Sequence, residues 1–129
     1  MKRLVPVFVL CLALGGLWPV GAGAATTTTL DSHCSPTGDY CIAIERKQGE
    51  IYASLRTFSF RGQYKLCLKA PLNDRECGWW KLHKRPHGIY AGKVSLRKRY
   101  FTTGPGRYTV SWFGEDERQI GRGLHFGKS

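Results

Sequence analysis

The sequence predicts an all-β protein, an antiparallel β-sandwich of about seven strands cross-linked by two disulfides. Short runs of alternating apolar and polar residues recur along the chain, and turns that contain glycine or proline separate them at regular intervals. No segment shows the apolar period of an amphipathic helix. This spacing is typical of a sandwich or a small barrel. Alternation in place of solid apolar runs favours antiparallel sheets that are solvated on one side.

The N-terminal segment has the organisation of a secretory signal peptide. Two basic residues follow Met1 and precede an apolar stretch over residues 4–20, and small residues with Ala22 and Ala24 at cleavage spacing come next. Prolines and glycines interrupt this stretch, whose length is at the short limit for a membrane-spanning helix. We therefore expect residues 1–24 to be removed on export, leaving a secreted or cell-envelope protein with no stable transmembrane anchor.

The mature chain is expected to hold one domain, preceded by a short leader. Residues 25–33 include four consecutive threonines and show no hydrophobic pattern, so they are predicted to be flexible. Residues 34–127 form the predicted sandwich, which is long enough for a modest core and small enough to benefit from cross-links.

The cysteine count predicts the cross-links. Of five cysteines, Cys11 leaves with the signal peptide, and an even number in an exported chain indicates disulfides. Three pairings of the remaining four are possible, and the sequential pairing is favoured. Each of its bonds closes a short loop and is expected to contribute about 2.5–3 kcal/mol. The predicted pairs are Cys34–Cys41 and Cys67–Cys77.

The predicted strands follow the alternating runs in order. Alternation is clearest at Tyr108, Val110 and Trp112, which follow a glycine turn and are predicted to face inward. The seven runs cover residues 40–46, 51–55, 64–68, 77–83, 89–96, 108–112 and 120–126.

One of these strands carries a resemblance to known folds. The stretch Gly106-Arg107-Tyr108-Thr109-Val110-Ser111-Trp112 resembles the penultimate strand of an immunoglobulin-like or fibronectin type III-like sandwich, in which a tyrosine bonds back to the preceding corner. With residues 34–41 and 64–71, this stretch is also similar to short exported bacterial proteins of uncharacterised function. The Cys…Trp…Cys spacing of true immunoglobulin domains is absent. The resemblance therefore implies the architecture and carries over no activity.

Two histidines near two cysteines suggest zinc, but their spacing argues against it. Cys67 and Cys77 are too far apart for a zinc knuckle, and basic residues and a proline lie between His83 and His87. The exported location also favours disulfides over thiolate ligands. We therefore expect no metal site, no cofactor and ordinary surface histidines.

Catalytic patterns are equally weak. Cys34 follows His33 directly, and adjacent residues rarely face one another as a nucleophile and its base must. The acidic cluster 115–117 lies in a predicted turn, where solvated carboxylates are the ordinary interpretation. No nucleophile elbow or phosphate-binding glycine loop occurs. The protein is therefore not expected to be an enzyme.

The excess of basic residues is the strongest functional indication. The whole chain carries a formal charge of +11 from 20 basic and 9 acidic residues, and loss of the signal peptide removes two of the basic ones. If Cys67 lies opposite Cys77 in a hairpin, Lys65 lies opposite Trp79, and a cationic face with an exposed aromatic results. The candidate anion-binding residues are Lys65, Lys69, Arg75, Trp79, Lys81, Arg97, Lys98 and Arg99.

Three functions follow from these observations. The first is a non-enzymatic secreted module that binds an anionic polymer or envelope surface through its basic face. The alternative is a structural or protein-interaction domain of the cell envelope with no anionic ligand, in which lysines keep the protein soluble and guard sheet edges. In that case a protein partner would use Trp79 or Trp80. The third is an unrecognised small hydrolase.

Overall fold

A computed structural model describes residues 26–72, 74–100, 102 and 104–129. The predicted signal peptide, residues 1–24, lies outside the described residues. The described chain forms nine strands, one short α-helix and a single 3-10 turn at Pro86–Gly88. The strands and the α-helix are β1 (Thr27–Cys34), β2 (Tyr40–Lys47), β3 (Glu50–Thr57), β4 (Gln63–Lys69), β5 (Arg75–Lys81), β6 (His83–Lys84), β7 (Tyr90–Ser95), α1 (Leu96–Arg99), β8 (Gly106–Phe113) and β9 (Gln119–Lys128).

The strands form two sheets in which every neighbouring pair is antiparallel. The five-stranded sheet has the order β1-β2-β3-β7-β6, and the four-stranded sheet has the order β5-β4-β8-β9. Buried side chains alternate with exposed ones along the strands, so each sheet has one face toward the core and one toward solvent. The predicted all-β, two-sheet antiparallel class is confirmed.

All seven predicted strands are present, and the described residues add two. Residues 27–33, predicted to be a flexible leader, belong to β1 instead, because their backbone pairs with β2 along its length. The predicted strand 77–83 is divided at Leu82, which is buried between the sheets and donates its backbone N–H to the Gly62 carbonyl at 2.7 Å. The chain therefore leaves the four-stranded sheet as β5 and enters the five-stranded sheet as β6.

The core lies between the two sheets. Tyr108, Val110 and Trp112 are fully buried, as predicted. They pack with aliphatic residues of the facing sheet, such as Ile42 and Leu55. Each buried large apolar side chain contributes about 1.5–3 kcal/mol relative to its exposed state.

Both predicted disulfides are confirmed. Cys34 bonds to Cys41 and Cys67 bonds to Cys77, and in each pair the two residues lie directly opposite one another on adjacent strands. Two disulfides indicate an oxidising environment, as outside the cell. Within the described ranges, no helix has the length and hydrophobicity that a membrane crossing requires.

The two sheets are also joined at one edge, where β1 lies beside β9. The Asp31 carboxylate accepts hydrogen bonds from the Arg122 guanidinium at 2.9 and 3.2 Å and from the backbone N–H of His125 at 2.9 Å. The bond from Arg122, together with the backbone N–H groups of His125 and Ser32, holds the pKa of Asp31 at about 2. A carboxylate on the first strand thus ties the two sheets together.

Candidate functional site

The predicted site residues on the β4–β5 hairpin share one solvent-facing surface. Lys65 lies opposite Trp79, and Cys67 lies opposite Cys77, as the sequence predicted. Side chains two residues apart on a strand point to the same side, so the disulfide lies at the centre of this surface. We call the surface the Trp79 face, defined by Lys65, Lys69, Arg75, Trp79 and Lys81.

The Lys65 ammonium group is held by contacts within the protein. Its ammonium lies 5.0 Å from the centroid of the Phe113 ring and 5.8 Å from that of Trp79, and it pairs with the Glu117 carboxylate at 3.1 Å. Only 18% of its side chain is exposed. Aromatic rings and a carboxylate thus hold a cation that the sequence pattern presented as free for a ligand.

Arg75 is also held by its neighbours. Its guanidinium carbon lies 5.7 Å from the centroid of the Phe113 ring, on which Lys65 also lies, and one nitrogen donates to Cys67 Sγ at 3.4 Å. Beside it is a shallow depression of about 490 Å³, lined by Cys67, Lys69, Arg75, Thr109, Ser111, Phe113 and Gln119.

The remaining members of the Trp79 face are open to solvent. Trp79 is 45% exposed, which is high for a large aromatic side chain. Lys69 and Lys81 are exposed, and neither forms an ion pair with another described residue. The Trp79 ring, with Lys81 two residues away and Lys69 on the far side of the disulfide, is therefore the part of this face that is available to a partner.

The basic run at residues 97–99 lies elsewhere. It forms α1, where Arg97 pairs with Glu50 at 3.5 Å and the Arg99 guanidinium lies 5.5 Å from the centroid of the Trp80 ring. Trp80 is the neighbour of Trp79 and points to the opposite side of β5. The run, which includes Lys98, is thus separated from the Trp79 face by the edge of the sheet.

A groove that the sequence did not predict lies on the outer face of the five-stranded sheet. We call it the Arg56 groove. Its volume is about 860 Å³, and its lining comes from three stretches of the chain, residues 41–45, 54–56 and 83–93. The residues are Cys41, Ala43, Glu45, Ser54, Arg56, His83, Arg85, Pro86, His87, Ile89, Ala91, Gly92 and Lys93.

Strand register explains how the groove is built. One cross-strand row holds Arg56 between Cys41 and Ala91, with His83 beyond Ala91 at the sheet edge. The neighbouring row places Lys93 beside Ser54 and Ala43. The alternation in β2, β3 and β7 could have indicated which residues face outward. The pairing of β3 with β7 joins segments far apart in sequence and leaves no local signal.

The acidic side chains of the turn 114–118 bind to other groups of the protein. Glu115 accepts a hydrogen bond from the Gln63 backbone at 3.0 Å, Asp116 pairs with Arg118 at 3.6 Å, and Glu117 pairs with Lys65. Each of these carboxylates therefore has a partner within the protein.

The residues considered for zinc and for catalysis are placed as follows. The three cysteines named above in those two patterns, Cys34, Cys67 and Cys77, are in disulfides and offer no thiolate. Both His83 and His87 line the Arg56 groove. Across the described ranges, no group of three histidine, cysteine or acidic residues is arranged to hold a metal ion.

Comparison with known proteins identifies no relative of this chain. No protein-family model matches the chain, and neither a curated protein nor a solved structure is significantly similar to it.

Proposed function

We propose that this protein is a secreted, non-enzymatic module that binds an anionic polymer through the Trp79 face. The observation that carries the proposal is the exposed Trp79 ring on the same face as two exposed lysines: Lys81, two residues away on β5, and Lys69, on β4 beyond the disulfide. Neither lysine forms an ion pair with the described part of the chain. The ring offers a stacking surface, and the two ammonium groups offer charge to phosphates, sulfates or carboxylates.

The hairpin is suited to present this surface with little loss of entropy on binding. The Cys67–Cys77 bond joins the two strands at the centre of the face, and Lys65 and Arg75 hold the Phe113 ring from the neighbouring strand. A surface that is already ordered loses less conformational entropy on association than a flexible one does.

The alternative function, a structural or protein-interaction domain, also has an observation in its favour. Lys65 is paired with Glu117, and Arg75 is stacked on Phe113. These contacts use two of the candidate cations to support the sheet. If the remaining cations only keep the protein soluble, Trp79 becomes the contact point for a protein partner.

Two further proposals concern origin and fold relationship. Export by a cleavable signal peptide is supported by the two disulfides, which require an oxidising environment. The immunoglobulin-like or fibronectin type III-like relationship is supported by the Tyr108 hydroxyl, which donates to the Gly104 carbonyl at 2.9 Å as a tyrosine corner does.

Salt-dependent retention tests the binding proposal. The disulfide-bonded protein is applied to teichoic-acid-like, heparin-like and nucleic-acid matrices at low and high salt. Because binding releases counterions, affinity should fall steeply as salt rises. The double variant Lys69→Glu/Lys81→Glu should weaken binding and lower the slope of log affinity against log salt by about two. Trp79→Ala should weaken binding with little change in slope, because it removes stacking and leaves the charge intact.

The matched control is Lys47→Glu/Lys84→Glu, which makes the same charge change at two exposed lysines outside the Trp79 face. Equal losses from the two double variants would show bulk charge alone and overturn the site. No retention at low salt would remove the binding function and leave the structural alternative. The lack of enzymatic activity stays a prediction, which a screen against small ester and glycoside substrates tests.

A further inference from the structure

The Arg56 groove collects cations that have no acidic partner. Arg56, Lys93 and Arg85 line the groove, and none of them forms an ion pair with any residue that the structure describes. On the β3–β7 ladder, Arg56 is paired with Ala91 and Lys93 with Ser54, so the two cations are diagonal neighbours on one surface. Like charges at this spacing repel one another, and a bound anion would relieve that repulsion.

Arg56 and Lys93 differ in the contacts that they offer to an anion. The Arg56 guanidinium presents a planar fork of donors that matches two oxygens of an oxyanion. The Lys93 ammonium lies 4.6 Å from the centroid of the Tyr52 ring. That contact fixes the position of the ammonium and does not use its N–H donors in a conventional hydrogen bond.

The floor of the groove is made of small side chains. Ser54 and Ala91 take the other two corners of the square that Arg56 and Lys93 form on β3 and β7, and Ala43 lies beyond Ser54 on β2. A ligand can therefore approach the sheet closely, with the longer basic side chains around it. The volume of about 860 Å³ lies within the range of small-molecule sites and is far larger than an inorganic ion needs.

The wall is formed by the turn after β6. The Arg85 backbone N–H donates to the Ile89 carbonyl at 2.7 Å, and His87 has a φ of 66°, in the left-handed region. Few residues other than glycine adopt this conformation, although histidine does so more often than most. The turn places Arg85 and His87 along the groove, with His83 just before them.

The groove also contains side chains that accept hydrogen bonds. Glu45 is the one carboxylate among its described lining residues, and it lies four residues along β2 from Cys41, which pairs with Arg56. At about 3.3 Å per residue, the two rows are about 13 Å apart. A carboxylate and the Ser54 hydroxyl accept hydrogen bonds from hydroxyl groups. The groove thus has a guanidinium at the Arg56 end, hydrogen-bond acceptors at its centre and at the Glu45 end, and the Lys93 ammonium between them over the Tyr52 ring.

From this arrangement we propose that the Arg56 groove binds a phosphate ester of about the size of a sugar phosphate, with its phosphate on Arg56 and Lys93 and its hydroxyls toward Ser54 and Glu45. A phosphate offers more oxygens than a carboxylate, and the fork of Arg56, the ammonium of Lys93 and the side chains of the wall supply donors for more than two. The site is on the opposite sheet from the Trp79 face and does not depend on the function proposed for that face.

The test is calorimetric titration of the disulfide-bonded protein with glucose 6-phosphate, inorganic phosphate and glucose, together with vesicles that contain phosphatidic acid. Glucose 6-phosphate should bind more tightly than inorganic phosphate, and glucose should not bind measurably. Arg56→Gln and Lys93→Gln should each weaken binding about tenfold or more, because each removes charged hydrogen bonds to the phosphate. Backbone amide shifts in NMR spectra should change along β3 and β7.

The matched control is Arg107→Gln, which removes one exposed arginine charge on the other sheet and should leave this binding unchanged. Because Arg56 and Lys93 are exposed, their variants are expected to fold, and circular dichroism checks this. Vesicle binding with the same sensitivity to Arg56→Gln would assign the phosphate to a lipid headgroup, whereas glucose 6-phosphate binding assigns it to a soluble ester. Either result supports a phosphate-ester site. No binding of any phosphate, equal binding of glucose, or equal loss in the control variant would overturn it.

Discussion

The outer faces of the two sheets both carry several basic residues, but the neighbours of those residues differ. On the four-stranded sheet, Lys65 lies among aromatic rings and a carboxylate, and Arg75 is stacked on Phe113. On the five-stranded sheet, Arg56 lies between small side chains and has no ion-pair partner within the described chain. The count of charges is similar on the two faces, whereas the availability of those charges is not.

The difference teaches that a cation identified from sequence can have two opposite roles. Where aromatic residues occupy the cross-strand positions and an acid lies in a nearby turn, as around Lys65, the cation supports the sheet and contributes a modest stabilisation. Where small residues such as Cys41 and Ala91 occupy those positions, as beside Arg56, the cation stays open to an external anion. The identity of the residue across the ladder, more than the local density of lysine and arginine, decides between these roles.

The largest expected effect comes from the core beneath the Trp79 face. Trp112 pairs with Leu66 on the inner side of the four-stranded sheet and is fully buried. Trp112→Ala removes a large side chain and leaves a cavity, so the free energy of unfolding should fall by about 3–5 kcal/mol in chemical denaturation. A loss below about 1 kcal/mol would contradict the burial of Trp112 and the position of this sheet over the core.

A smaller effect is expected beneath the Arg56 groove. Gly92 lies on the inner side of β7, where an added Cβ would come within 2.6 Å of the Tyr64 ring. Gly92→Ala should therefore lower the free energy of unfolding by about 1–3 kcal/mol through overpacking. Gly127→Ala is the matched control, since a Cβ there meets no atom within 4 Å. If the two variants melt at the same temperature, Tyr64 does not support the groove from below.

The smallest effect is expected at the edge where the two sheets meet. The pKa of Asp31 is lowered from 3.8 to about 2, so the folded state favours the ionised carboxylate more than the unfolded state does. The resulting stabilisation is present above the unfolded pKa and is lost as the pH falls from about 4 to 2. Because Arg122 is half exposed, solvent screens the pair, and Asp31→Asn should cost about 1 kcal/mol at neutral pH.

Urea denaturation at several pH values measures this effect. The difference between the protein and Asp31→Asn should shrink toward zero as the pH falls below about 2, since Asp31 is then protonated in the folded state as well and both side chains are uncharged. Asp74→Asn is the control, because Asp74 is exposed and its carboxyl forms no ion pair with the described residues. A pH-independent difference at Asp31 would assign the loss to hydrogen-bond geometry and contradict the role of charge.

Much of the fold was predictable because its signals are local. Alternation identified the seven strands and the inward side of Tyr108, Val110 and Trp112. The parity of the cysteines and the short spacing within each pair indicated the correct disulfides. Within one hairpin, a single cross-strand pair fixes the register, because the other pairs follow by counting residues outward from it. Counting from Cys67 opposite Cys77 therefore placed Lys65 opposite Trp79 correctly.

Local sequence is sufficient to specify the period of each strand, the disulfide pairs and the register of the β4–β5 hairpin, since these depend on residues close together in the chain. Tertiary structure alone decided that residues 27–33 join a sheet, because a polar edge strand gains its order from backbone pairing and not from an apolar pattern. Tertiary structure also decided the change of sheet at Leu82 and the assembly of the Arg56 groove. Both depend on contacts between distant segments, and the hydrogen bonds of such pairings are made by the backbone, which is the same for every residue except proline.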